Sequence, residues 1–149
     1  LALVGLLALG GLSLASLSLG QITSLKQANH TLTEQVEQLE TLTVEQDRID
    51  VFSRYFLSNY YANNKETVSD FIVKDLKKTI QVSEGTLQSV ILEEVTQNKD
   101  TYTVTYVLVV KDNEENRSNV RLSFEVKEDA KSMYGYLVKN QPKSSKYPK

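Results

Sequence analysis

One histidine, a handful of carboxylates and a surplus of tyrosines are the residues of this sequence that could do chemistry. His30 is the only histidine. It stands in a polar stretch read below as a stalk, which offers no pocket for acid–base transfer. A single imidazole excludes a histidine-based triad and any metal site that needs two imidazoles. The lack of cysteine removes disulfides, thiolate metal sites and thiol nucleophiles together. Asp70 and Asp75 on an expected helix, and Glu93, Glu94 and Glu125 on expected strands, could abstract a proton if one pointed into a cavity beside tyrosines. Carboxylates at such positions are ordinarily solvated, and nothing in their spacing turns one inward. There is no glycine-rich phosphate loop and no basic stripe interleaved with aromatics. The net charge of −2 is too small for a nucleic-acid arm. No catalytic, cofactor-binding or metal residue is therefore assigned, and no direct nucleic-acid binding is expected.

The tyrosines fit a binding protein better. Tyr55, Tyr60 and Tyr61 on one helix, with Tyr102 and Tyr106 on a strand, exceed what a small core needs. Aromatic rings with a polar tip suit interfaces. Tyr61 falls off the face shared by Phe52, Phe56 and Tyr60, which makes it the first candidate for an exposed partner contact.

Three zones and a tail must position these residues. Residues 1–23 are rich in leucine, and the first charge is Lys26. About 20 such residues span a hydrocarbon core of ~30 Å, so a retained transmembrane helix is expected rather than a shorter, cleaved signal core. The sequence starts at Leu1 without a methionine and is read as a piece of a longer product. Residues 24–43 form a polar stretch with a spaced apolar seam. Ile22, Leu25, Asn29, Leu32, Val36, Leu39 and Thr43 alternate three and four apart, the a/d pattern of a coiled coil. Asn29 at an a position costs stability but can fix register and partner number. Self-association in a stalk is the favoured reading over a lone helix packing on its own domain.

Residues 44–140 hold the domain. Ile49, Phe52, Tyr55, Phe56 and Tyr60 mark a helix from Val44 to Asn63, with Thr43 and Gln46 in capping-box form. Val68, Phe71, Ile72, Leu76 and Ile80 mark a second amphipathic helix. The period then changes to two. Strands are expected around Val90–Val95, Tyr102–Val110, Val120–Lys127 and Tyr134–Val138, with short turns between them. Helices followed by about four strands give an α+β fold, a cone of N-terminal helices on a curved antiparallel sheet. Residues 141–149, with Lys143, Lys146 and Lys149 and no acid, read as a solvated basic tail.

The order of parts resembles a known family. A membrane span and a short coiled coil lead into Phe52-x-x-x-Phe56-x-x-x-Tyr60-Tyr61, then the Val68/Phe71/Leu76 segment, and the domain closes with Gly135-Tyr136-Leu137-Val138 and Pro142. This is similar to the TcpC-type conjugation proteins of Gram-positive bacteria, relatives of the bitopic VirB-type assembly factors of type IV secretion systems. The resemblance implies an external domain of the nuclear-transport-factor-two-like fold at the cell membrane. It also implies a non-enzymatic scaffold that forms a homo-oligomer and contacts other membrane subunits of a DNA-transfer channel. The competing readings are a ligand-binding or enzymatic cone-fold module with an internal cavity, and a membrane-anchored accessory of a lipid-uptake complex.

Overall fold

The structure, a computed structural model, describes the backbone of residues 2–147 and the side chains of residues 20–147. The expected membrane span lies almost entirely outside the described side chains. Among the described residues, no helix is long and apolar enough to cross a membrane. The chain divides into two units, Leu1–Val44 and Glu45–Lys149.

The first unit is helical and belongs to α1 (Ala2–Tyr61). Its threonines stay helical by returning their hydroxyls to the preceding turn. Thr31, Thr33, Thr41 and Thr43 each donate to the carbonyl four residues back, at 3.0, 2.9, 2.8 and 2.8 Å. The last of these corrects the expectation of a helix start. Thr43 Oγ1 is spent on Leu39 O, so it caps nothing, and the helix has no break there. The three-and-four spacing of the seam, carried past Thr43, lands on Gln46, Asp50 and Ser53, so the apolar stripe ends where the second unit begins.

The second unit opens with the last turns of α1, from Glu45 to Tyr61. Ile49, Phe52, Phe56 and Tyr60 are buried at the helical spacing expected of one apolar face, Leu57 joins them, and Tyr55, expected on the same face, is exposed instead. The helix stops at Tyr61 because Asn63 takes a left-handed φ of 53°. Asn64 then caps the short helix α2 (Lys65–Val68), accepting from Thr67 N at 3.2 Å.

The second long helix expected from Val68, Phe71, Ile72, Leu76 and Ile80 does not form. α2 gives way to two 3-10 turns, Ser69–Phe71 and Lys74–Lys78, with Ile72 and Val73 extended between them. The extended pair has a sheet partner. Ile72 bridges Val138, and Val73 N donates to Val138 O at 3.0 Å. Val68, Phe71, Ile72 and Ile80 are nonetheless buried, as their apolar character demands.

The sheet comprises β1 (Thr86–Asn98), β2 (Thr101–Lys111), β3 (Arg117–Glu128), β4 (Tyr136–Val138) and β5 (Lys143–Lys146). The order is β1-β2-β3-β4, with β5 also on β3, and every strand pair is antiparallel. β2 alternates throughout: Tyr102, Val104, Tyr106, Leu108 and Val110 are buried, and the residues between them are half-buried. β1 departs from strict alternation because it is bulged between Leu87 and Ser89 and between Leu92 and Glu94.

The basic tail is a further correction. Lys143–Lys146 is a fifth strand, paired with Val120–Ser123 of β3. Its side chains are all exposed, so the backbone ladder places it rather than apolar burial. The turns of Glu45–Tyr61 and the Lys65–Ile80 segment pack on one face of the sheet. Phe56 and Phe124 meet at 5.1 Å, Phe52 and Phe71 at 6.0 Å, and Tyr106 stacks on Phe124 at 6.1 Å.

Candidate interaction surfaces

The interior between α1 and the sheet is built of aromatic rings whose hydroxyls are tied to acids. Tyr106 OH donates to Asp50 Oδ1 at 2.8 Å, and Asp50 Oδ2 accepts from Arg54 Nε at 2.9 Å. Arg54 Nη1 then donates to Val90 O at 3.0 Å, tying α1 to β1. Ser53 Oγ is buried beside the Tyr106 hydroxyl. A second tie joins Tyr136 OH to Glu45 Oε2 at 2.5 Å, with Glu45 Oε1 accepting from Arg48 at 3.0 Å. Burial, followed by these acids, pushes both the Tyr106 and Tyr136 phenols well above the usual tyrosine range. Such phenols are locked donors that stabilise the helix–sheet contact.

The carboxylates singled out for proton transfer are not brought together. Asp70, Asp75 and Glu94 are exposed, Glu93 is engaged by Arg121, and Glu125 is half-buried on β3. His30 is exposed and 3.3 Å from Glu34. Among the described residues, no group of histidines and acids has the arrangement of a metal site.

Three kinds of surface stand out instead. The first is the stripe on α1, where Ile22, Leu25, Leu32, Val36, Leu39 and Leu42 are 47–63% exposed, with Asn29 exposed among them. The second is an aromatic patch. Tyr134 stacks on Tyr55 at 5.4 Å and on Phe71 at 5.1 Å, beside the exposed Val51 and Met133. A shallow cleft of about 310 Å³, lined by Asp47, Arg48, Val51, Phe52 and Tyr134, adjoins it. The third lies around β5. One open cleft of about 710 Å³ runs along Arg117–Val120 and Ser144–Tyr147. Another, of about 590 Å³, is lined by Glu93, Glu94, Thr105, Arg121, Ser123 and Lys143–Ser145. Arg121 sits between them, paired with Glu93 at 2.5 Å and lying 5.3 Å from the Tyr147 ring.

Comparison with known proteins gives this domain its family. Residues 45–148 match the profile of the TcpC-like C-terminal domain, described as conjugal transfer protein-like. The chain belongs to this family. The matched stretch covers nearly all of the second structural unit and stops short of the stripe on α1. The TcpC-like domain is also similar to a solved structure, the Ntf2-like potential transfer protein TraM from the Gram-positive conjugative plasmid pIP501. The two share 27% identity at a TM-score of 0.60, over 69% of this chain and 97% of that one. No curated protein matches the sequence. The TcpC-like chain is thus a conjugation-related protein with an NTF2-like α+β domain.

Tyr61, the expected exposed contact, is not on the surface of the TcpC-like domain. It is only 6% exposed and meets Tyr60 edge-on at 5.4 Å. Burial, with Tyr60 adding to it, pushes its phenol up to about 12. The reason is local. Tyr61 is the last residue of α1, and the returning chain closes over the helix end, with Ser83 N bonded to Tyr60 O and Gly85 N to Tyr61 O. Of the five tyrosines singled out, only Tyr55 is substantially exposed, at 52%. Tyr134, which completes its stack, is expected from its spacing to open the last strand, but it lies in the turn that precedes β4. β5 went unrecognised because Lys-Ser-Ser-Lys carries no apolar alternation.

Proposed function

We propose that this protein is a non-enzymatic, membrane-anchored scaffold of a conjugative type IV secretion channel. Residues 1–23 hold it in the cell membrane as a single pass, and the domain stands on the outer side. Residues 24–43 gather copies through the seam Ile22, Leu25, Asn29, Leu32, Val36 and Leu39, and the external domain engages neighbouring copies and other membrane subunits of the channel. The observation that carries this reading is the exposed apolar stripe on α1, next to a domain of a conjugal transfer family. A row of six large apolar side chains in water is costly at roughly 25 cal/mol per Å² of apolar surface. A coiled coil removes that cost. Tethered copies then face one another at high effective concentration, so weak lateral contacts between domains add up.

The test is plasmid transfer between cells. Replacing Leu25, Leu32 and Leu39 together by Ser should reduce transfer by orders of magnitude while the domain stays folded. Undiminished transfer with a monomeric seam variant would remove the stalk from the function.

A further inference from the structure

The sheet has two bare edges of opposite charge. Among the described residues, β1 pairs only with β2 and β5 only with β3, whereas the outer side of β4 is taken by Ile72 and Val73. β1 carries Glu93 and Glu94 and no base along Thr86–Asn98. β5 carries Lys143 and Lys146 and no acid. On β1, Val90 O is occupied by Arg54, and Glu94 follows the bulge with its side chain exposed.

We propose that β5 of one copy adds to β1 of the next, joining copies head to tail into a continuous sheet. This rests on the tethered scaffold reading above, since a four-residue strand needs crowded copies to matter. Two arguments select this occupant. The first is charge: a β1–β1 contact would set acids against acids and a β5–β5 contact bases against bases, and like charges across a strand pair repel. Only the mixed pairing brings Lys143 and Lys146 to the edge that carries Glu94, the acid beside the Arg121-paired Glu93. The second is polarity. With every neighbouring pair antiparallel, β1 and β5 run in opposite senses, so the next copy's β1 meets β5 antiparallel as the sheet continues. Because the two edges differ, the contact is heterologous and propagates into a ring where the rotation closes.

The lack of cysteine makes the test clean. Thr96→Cys and Ser145→Cys place one thiol on each edge, both at exposed positions. Within one domain β1 and β5 are three strand spacings apart, about 14 Å, beyond a short bis-maleimide of ~8 Å reach. In membranes carrying the full chain, the double variant should give a ladder extending past dimer, and each single variant should give monomer. Adding Glu94→Lys should weaken the ladder severalfold, and adding Lys143→Glu to that should restore it. Dimers from either single variant would overturn the proposal in favour of like-edge pairing. No ladder from the double variant, in membranes where a Leu32→Cys seam thiol does cross-link, would overturn the edge contact and leave the stalk standing. Absence of both products would sink both readings.

Discussion

Tyr61, Tyr106 and Tyr136 carry the chemistry of this domain at the residue scale, and it is the chemistry of stability. Each phenol is buried, and each holds its proton above the ordinary value of 10.0. The linkage has a definite sign. Below pH 10 the phenols are neutral in both folded and unfolded chains, and their burial contributes in full. As pH rises past 10 the unfolded chain releases protons that the folded chain retains, so stability falls through the raised folded values, beginning before the Tyr61 value of about 12. Urea midpoints should be flat from pH 7 to 9.5 and drop steeply between pH 10 and 11, with phenolate absorbance appearing together with unfolding. Stability unchanged to pH 11 would mean that these phenols are solvated. The same residues show what a sequence can and cannot disclose. The face of Tyr106 is legible because β2 alternates without interruption. That of Tyr61 is not, because its surroundings depend on how the chain returns after the helix ends.

Elements were legible where one period runs unbroken. Ile49, Phe52, Phe56 and Tyr60, the Tyr102–Val110 face of β2 and Leu122, Phe124 and Val126 of β3 follow from spacing and are buried. Tyr55, expected on the same helix face, is exposed, and Val120 is half-buried. The Lys65–Ile80 segment is ambiguous in sequence because Val68, Phe71, Ile72 and Ile80 satisfy helical spacing and are equally buried in a chain of short turns. The decision fell to β4, three residues long, which takes Ile72 and Val73 as its outer partner. β5 lay beyond sequence reasoning, since the backbone of β3 rather than any apolar pattern recruits it. The stalk is the element whose behaviour is most open to experiment. If the seam packs as a coiled coil, Asn29 is buried between helices at a cost in stability and a gain in register. Asn29→Leu should change the sizes and the stability of cross-linked oligomers of the full chain. Identical ladders from the two proteins would place Asn29 outside the seam.

At the scale of the whole molecule, the division at Val44/Glu45 separates two kinds of surface. The second unit buries most of its large apolar residues in one core and leaves Val51, Tyr55, Ile91, Met133 and Tyr134 exposed, while the described part of the first leaves its whole apolar stripe exposed. On the proposed scaffold reading, a chain of this build completes its burial with another chain. That is the central claim, and cross-linking in intact cells tests it most directly. Cells expressing Leu32→Cys from the transfer plasmid should yield the protein in the membrane fraction as covalent oligomers, and a longer-range cross-linker should capture other channel subunits, identified by mass spectrometry. Recovery of the protein from washed cells as a soluble monomer, with no captured partner, would contradict the account.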